Sequence, residues 1–183
     1  MKAAYIVDDP KIAAILIDPM RRAILELLRQ KPMTQAQLAN ELGLSAPSLN
    51  FHIKKLRSRK LVIVARREVE KHRIMQIFFA SVAYVFVYDL ESMPKNIARY
   101  FYPISLERAR SVLSAYFVSG GHNGDYTYDE INKLAEDISN LLVKTAKHYQ
   151  NKEAKYGEEK VINIIYKRCI NTVISQNKSV HMQ

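Results

Sequence analysis

The stretch SAPSLNFHIKKLRSRKLV, residues 45–62, combines five cations with small hydroxyl and amide side chains. Side chains such as Asn50 can hydrogen-bond to the edge of a base, and Lys and Arg bind phosphate oxygens. Apolar residues recur at positions i, i+4 and i+7, at Leu49, Ile53 and Leu56. This spacing predicts a helix with one buried stripe. The polar and cationic side chains then lie on the side of the helix that faces away from the core.

Positive charge is concentrated in the same part of the chain. The 183 residues carry a formal net charge of +10, and the segment 46–73 holds nine Lys and Arg against Glu68 and Glu70, a local charge of +7. Such an excess attracts a polyanion, either nucleic acid or an acidic membrane surface. The simpler alternative is a solvated basic face, and charge alone does not separate the two.

The composition indicates a soluble globular protein, with 48% hydrophobic and 25% charged residues. No apolar run reaches the roughly 18–20 residues that cross a bilayer. The first residues, with Asp8 and Asp9 before the apolar stretch, do not resemble a signal peptide. The single cysteine, Cys169, excludes an intrachain disulfide. We therefore expect a cytoplasmic protein, with Cys169 as a buried apolar residue of the last helix.

Capping signals divide the first 60 residues into short helices. Asp9 and Asp18, each followed by proline, are typical helix N-caps. Thr34 followed by Gln37 forms a capping box, and Gly43 can adopt the left-handed conformation that ends a helix. A further helix then begins after Ser45. Two short helices joined by a tight glycine turn predict a helix-turn-helix.

The pattern then changes from helix to strand. The runs LVIVARREVE and RIMQIFFASVAYVFVY are rich in β-branched and aromatic residues, which predicts a β-hairpin that reverses near EKH. The second run is too long for one ordinary strand, so we expect it to bend or to continue as a third strand near residues 80–81. Cations cluster toward the tip of this hairpin: Arg66, Arg67, Lys71, His72 and Arg73.

The remaining chain is expected to be helical. A boundary at DLESMPKN is followed by apolar helical patterns over residues 105–119, 128–149 and 158–176. The glycine-rich stretch 119–126 lacks the Lys-Ser/Thr of a phosphate-binding loop and favours a helix C-cap with a turn. We therefore predict a mostly α fold with a small β-hairpin wing (α+β). It divides into a winged helix-turn-helix domain, 1–90, and a helical C-terminal region, 91–183.

In a winged helix-turn-helix the second helix of the pair enters the major groove of DNA, and its N-terminal residues read the bases. The sequence therefore predicts double-stranded DNA as a partner. Asn50 is suited to adenine, while Lys54, Lys55, Arg57, Arg59 and Lys60 are suited to phosphates. The predicted DNA-binding residues are Thr34, Gln35, Ser45, Ala46, Ser48, Asn50, Phe51, Lys54, Lys55, Arg57, Arg66, Arg67, Lys71, His72 and Arg73.

The segments DPMRRAILELL and TQAQLANELGLSAPSLNFHIKKLRSRKLV resemble the ArsR-type (arsenic-repressor-like) winged helix-turn-helix transcriptional regulators. The resemblance covers roughly residues 10–80. The matching positions are Asp18, Pro19, Arg22, Ser45, Pro47, Ser48, His52 and Leu56. It implies that Ala46, Ser48, Asn50 and Phe51 face DNA and that His52 packs inside.

The sequence departs from that family at two places. Metal-sensing members carry a Cys-x-Cys pair in the helix before the turn, where this chain has QAQLANELG. Because thiolates select soft metals, we expect no arsenic or zinc sensing at that place. We also expect no other metal site and no cofactor. The glycine that usually precedes the first wing strand is replaced by Lys60. The resemblance therefore supports DNA binding but does not indicate which signal would regulate that binding.

The sequence leaves several alternatives open, most of them for the C-terminal helices. They could close into a bundle, or pair with a second copy; we prefer a homodimer, because dimers read two half-sites one helical turn apart. A small-molecule effector could bind between them, with Tyr100, Tyr116, Phe117 and Tyr149 as lining residues. The chain could also serve as a winged-helix protein-interaction module or a non-specific architectural DNA binder. No catalytic pattern is evident, so we expect no enzyme activity.

Overall fold

The computed structural model describes residues 1–69, 75–120 and 126–180, with side chains as far as Gln176. The strands are β1 (Lys2–Val7), β2 (Val62–Val69), β3 (Met75–Ser81) and β4 (Ala83–Tyr88). The helices are α1 (Pro10–Leu16), α2 (Pro19–Gln30), α3 (Gln35–Leu42), α4 (Ala46–Ser58), α5 (Lys95–Val118), α6 (Tyr128–Lys147) and α7 (Lys160–Val180). The prediction of a mostly α fold with a small β-hairpin is confirmed.

Side-chain caps fix where the first helices begin. The carboxylates of Asp9 and Asp18 accept hydrogen bonds from Lys11 N and Met20 N at 2.7 and 2.8 Å. Thr34 forms the expected capping box at the start of α3. Gly43 ends α3 with φ 62°, a left-handed conformation that glycine adopts without steric cost. Residues 43–45 thus form the tight turn that places α4 against α3.

The wing is an antiparallel pair of strands, β2 and β3, as predicted. A β-bulge interrupts the pairing between Val64 and Arg66. Met33 forms an isolated antiparallel β-bridge to β3: Met33 N donates to Phe79 O at 3.0 Å and Phe79 N donates to Met33 O at 2.8 Å. The wing is therefore joined to the segment between α2 and α3, and the second predicted run continues beyond Ser81 as β4.

Strand β1 was not predicted from the sequence. It pairs in parallel with β4, with Ala4 opposite Val85 and Ile6 opposite Val87. Parallel strands need a long connection, and here all of α1–α4 and the wing lie between them in the chain. The first residues are therefore a structural part of the domain.

Two hydrophobic cores hold the molecule together. The first contains the buried residues of α1–α4 and the wing, including Leu16, Ile24 and Leu38, together with Phe101 of α5. The second contains Ala4, Val85 and Val87 with the buried faces of the last three helices. This second core draws on residues from both sides of position 90, so the division there stays a prediction.

Helix α5 begins at Lys95, which corrects the predicted start at Ser105. It runs 24 residues and contains Pro103 within it. The predicted start rested on Ser105 as a helix N-cap, whereas the structure places Ser105 inside the helix. Here Phe101, fully buried, stacks on Tyr88 with ring centroids 4.2 Å apart. This packing holds the first turns of α5 on the domain, so the helix forms through Pro103.

The last two helices agree with their predicted stripes. Thr127 and Glu130 form the expected capping box at the start of α6, and Cys169 is buried in α7. Helix α5 ends with Ser119 as its C-cap, and Gly120 follows with φ 78°. Residues 121–125 lie outside the described residues. Within the part of the chain that the structure describes, no helix has the length and apolar composition needed to cross a membrane.

Candidate nucleic-acid interface

Helix α4 is anchored by the three predicted apolar residues. Leu49, Ile53 and Leu56 are 0%, 1% and 0% exposed. Pro47 lies in the first turn, where a missing N–H costs nothing, and the Ser45 hydroxyl accepts from Ser48 N at 3.4 Å. The buried stripe and the cap together fix which face of α4 points to solvent.

The opposite face of α4 is polar and positively charged. The exposed residues of α4 are Ala46, Pro47, Phe51, Lys54, Lys55, Arg57 and Ser58, followed by Arg59 and Lys60. Ser45 is also exposed, whereas Ser48 and Asn50 are half-buried. Small residues dominate the first turn and cations the last two turns. An approaching surface can therefore come closest at the N-terminal end of α4, with cations on its flank.

Asn50 lies between α3 and α4. Gln35 Nε2 donates to Asn50 Oδ1 at 3.5 Å, a long hydrogen bond that limits the rotation of both side chains. Thr34 and Gln37 hold each other in the capping box, with Gln37 N 3.2 Å from the Thr34 hydroxyl oxygen. The structure thus brings Gln35 and Asn50 together. The Thr34 hydroxyl instead accepts the N-cap hydrogen bond at the start of α3.

Phe51 is an apolar side chain among cations. It is 53% exposed, and the Lys55 Nζ and the Arg21 guanidinium carbon lie 5.7 and 5.9 Å from its ring centroid. Cations at this distance are attracted to the face of an aromatic ring. Arg21 of α2 therefore reaches the α4 surface, although sequence analysis did not include it. Its position depends on packing between helices, which no local motif records.

His52 connects α4 to the start of α2. Its side chain is 14% exposed, and its Nδ1 lies 3.5 Å from Asp18 Oδ2. Asp18 also caps α2 and lies 3.4 Å from the Arg21 guanidinium. The expectation that His52 packs inside agrees with this position. His52 therefore lies where α4 contacts the start of α2.

The two arginines of β2 have different surroundings. The Arg66 Nε lies 2.6 Å from Glu68 Oε1, and its guanidinium lies 4.1 Å from the centroid of the Phe78 ring. Arg67 is exposed. The bulge at residues 64–66 changes the register of the strand just before both of them. The predicted contacts of Lys71, His72 and Arg73 lie outside the described residues.

Lys60 occupies the turn between α4 and β2. Its φ is 56°, so it is the one non-glycine residue of the described chain in the left-handed region. Lys60 N donates to Arg57 O at 2.9 Å and Leu61 N donates to Leu56 O at 3.0 Å, which closes the end of α4. The turn that commonly uses glycine therefore forms with lysine, and the wing follows directly.

Comparison with known proteins bears on the segment that includes these elements. Residues 16–65 match the family described as a helix-turn-helix domain. The matched segment contains α3, the turn at residues 43–45 and α4, which form the helix-turn-helix. The match contains all of α2, α3 and α4 and the first residues of β2, which agrees with the observed elements. A comparison with curated protein sequences gives no match.

Solved structures of Lactococcus lactis ZitR are also similar to this chain. A doubly substituted mutant of ZitR in its apo form is 21% identical over 75% of this chain and 86% of that one, with a TM-score of 0.33. Wild-type ZitR in complex with DNA is 18% identical over 72% and 74%, with a TM-score of 0.30. Sequence identities and TM-scores this low carry no argument about the fold. The fold therefore rests on the helix-turn-helix match and on the geometry of the chain itself.

The four aromatic residues suggested for an effector pocket have different surroundings. Phe117 stacks on Tyr126 with centroids 4.9 Å apart, and the Tyr116 hydroxyl donates to Asn171 Oδ1 at 3.4 Å. Tyr149 is buried in the second core, whereas Tyr100 is exposed and contacts Arg99. These positions do not favour one pocket lined by all four.

Proposed function

We propose that this protein is a sequence-specific regulator of transcription that binds double-stranded DNA as a homodimer. Residues 46–59 lie in the major groove, and the wing, residues 66–73, contacts the adjacent backbone or minor groove. The observation that carries the proposal is the orientation of α4: its stripe is buried to 1% exposure or less, and its opposite face is open and cationic. A recognition helix requires this arrangement.

Different side chains would carry affinity and specificity. Asn50 and Ser48 occupy the first turns of α4, where a recognition helix comes closest to base edges. Lys54, Lys55 and Arg57 lie further along and suit phosphates, whose contacts strengthen binding to any sequence. The hydrogen bond from Gln35 would hold Asn50 for base contact. Base reading and phosphate binding are thus assigned to different turns of one helix.

A homodimer would recognise a longer DNA sequence than a single copy, because each copy contributes one recognition helix. One recognition helix contacts only a few base pairs, and two copies related by a two-fold axis read half-sites about 34–36 Å apart. We place the contact between copies on the C-terminal helices, because α4 and the wing are then both free for DNA.

The proposal is tested by selecting bound duplexes from a random library and measuring binding to the selected duplex and to a scrambled one. We expect at least about a thousandfold preference at moderate salt, with a symmetric site, and sedimentation as a dimer. Equal binding to both duplexes would indicate a non-specific architectural protein. No retention of either duplex would indicate a protein-interaction module.

A further inference from the structure

A cleft between α2, β4 and α5 is lined by three arginines. Arg22 and Arg29 come from α2, and Arg108 comes from α5. The other lining residues are Leu25, Glu26, Tyr84, Phe86 and Tyr88. Its cavity volume is about 30 Å³, far below that of sites for drug-sized ligands, so it suits only a small group bound at its solvent-open mouth. The cleft lies between the helix-turn-helix and the helix that leads to the C-terminal region.

The charges in this cleft are not balanced by the protein. Among its lining residues Glu26 is the only carboxylate, and it forms an ion pair with Arg29. Arg22 and Arg108 have no acidic partner among the described residues. The Arg29 Nε is buried without a hydrogen-bond partner. Bringing partly buried like charges together is costly, and an anion among them would relieve that cost.

Backbone carbonyl groups hold the guanidiniums in place. Arg22 Nη1 donates to Leu16 O and Ile17 O, both at 2.7 Å. Arg29 Nη1 donates to Tyr84 O at 3.3 Å, and Arg108 Nη1 donates to Phe86 O at 3.2 Å. These carbonyls are uncharged, so they orient the cations without neutralising them. A site whose donors are already fixed loses less entropy when a ligand binds.

Tyr88 lines the cleft together with these charged residues. Burial raises the pKa of Tyr88, Arg108 and Arg22 oppose the rise, and Glu26 adds to it. Residues of α2 and α5 therefore act on the same hydroxyl. A phenol is already neutral at pH 7, and the raised pKa of Tyr88 moves it further from ionisation, so the hydroxyl has a proton to donate. The cleft thus combines guanidinium donors from two helices with a neutral hydroxyl donor.

We propose that this cleft binds a small oxyanion, a phosphate or a carboxylate group, through Arg22, Arg29, Arg108 and Tyr88. The planar fork of an arginine binds two oxygens of such a group at once, which suits this chemistry better than a lysine would. The bound anion bridges α2 to α5. Any influence of the anion on DNA binding rests on the proposed function, and the binding itself does not.

The test is thermal unfolding of the full chain without DNA. Sodium phosphate is titrated against sodium chloride at equal ionic strength, with acetate and citrate as carboxylate arms. We expect a saturable rise in Tm with phosphate or with a carboxylate, and the stronger arm identifies the ligand chemistry. Arg108→Gln should weaken the apparent affinity at least about tenfold, because it removes charged hydrogen bonds.

Two control variants separate this cleft from other basic surfaces. Arg99→Gln lies on the same helix at an exposed position outside the cleft lining, and Lys54→Gln lies on α4. Both should retain the wild-type response. A rise in Tm that never saturates, or one equal in wild type and Arg108→Gln, would overturn the proposal. If Arg108→Gln does not fold, calorimetric titration of the wild type decides, since absence of saturable heat with every anion would also overturn it.

Discussion

The Arg66 guanidinium stacks on Phe78, with its central carbon 4.1 Å from the ring centroid, and Glu68 binds the same side chain from within β2. A surface cation that is already stacked on a ring and paired with a carboxylate is less available to a phosphate. Arg67, the next residue, is exposed and has no described ion-pair partner. Neighbouring arginines of the wing therefore have different roles in the proposed complex.

The first prediction compares these two arginines. Arg67→Gln should weaken binding to all duplexes and reduce the slope of log affinity against log salt by about one phosphate contact. Arg66→Gln should change affinity less and instead lower the free energy of unfolding by about 0.5–1 kcal/mol, through loss of the stacked pair. Fluorescence anisotropy at several salt concentrations and urea unfolding provide the two measurements. Equal loss of affinity in both variants would refute the distinction.

The second prediction separates base reading from phosphate binding on α4. Asn50→Ala should cost about 1–3 kcal/mol on the preferred duplex and relax the preference at one base pair per half-site, with little effect on a scrambled duplex. Lys54→Gln should weaken binding to the preferred duplex and to the scrambled duplex by similar factors. Library selection repeated with each variant gives the comparison. An Asn50→Ala protein that retains the wild-type preference would show that Asn50 does not read a base.

The third prediction concerns the stripe that orients α4. Ile53→Ala should lower the free energy of unfolding by about 2–5 kcal/mol, because Ile53 is 1% exposed and its removal leaves a cavity. Urea unfolding followed by circular dichroism measures the change. Ile63→Ala is the matched control: Ile63 is 42% exposed, so the same substitution should cost no more than about 0.5 kcal/mol. Similar losses in both would contradict the observed packing of α4.

The fourth prediction uses the backbone of the turn after α4. Lys60 has φ 56°, a conformation that costs a side chain about 1–2 kcal/mol, so Lys60→Gly should raise the free energy of unfolding. Greater flexibility of the unfolded chain reduces the net gain to about 0.5–1 kcal/mol. Arg59→Gly removes the same charge from a residue with φ −110° and should lower stability instead. Destabilisation by both changes would disagree with the turn geometry.

Local signals in the sequence predicted the helix-turn-helix well. The caps at Asp9, Asp18 and Thr34 depend on residues two or three positions away, and Gly43 carries its own conformational preference. The stripe of α4 follows from spacing alone. These features therefore needed no knowledge of the rest of the chain.

Features that depend on distant residues could not be predicted in the same way. Strand β1 forms because β4, about 80 residues later, offers a parallel partner. Helix α5 continues through Pro103 because Phe101 is held against Tyr88. The arginine cleft could not be predicted either. Its charges come from α2 and α5, and the sequence of one helix does not indicate that it packs near the other.

Methylation protection on the selected duplex tests the placement of α4 most directly. Guanine N7 lies in the major groove, and adenine N3 lies in the minor groove. With α4 in the major groove, we predict that the protein protects guanine N7 atoms at the centre of each half-site from dimethyl sulfate. Full reactivity of every guanine N7 in a duplex that is bound, with protection only at adenine N3, would contradict that placement.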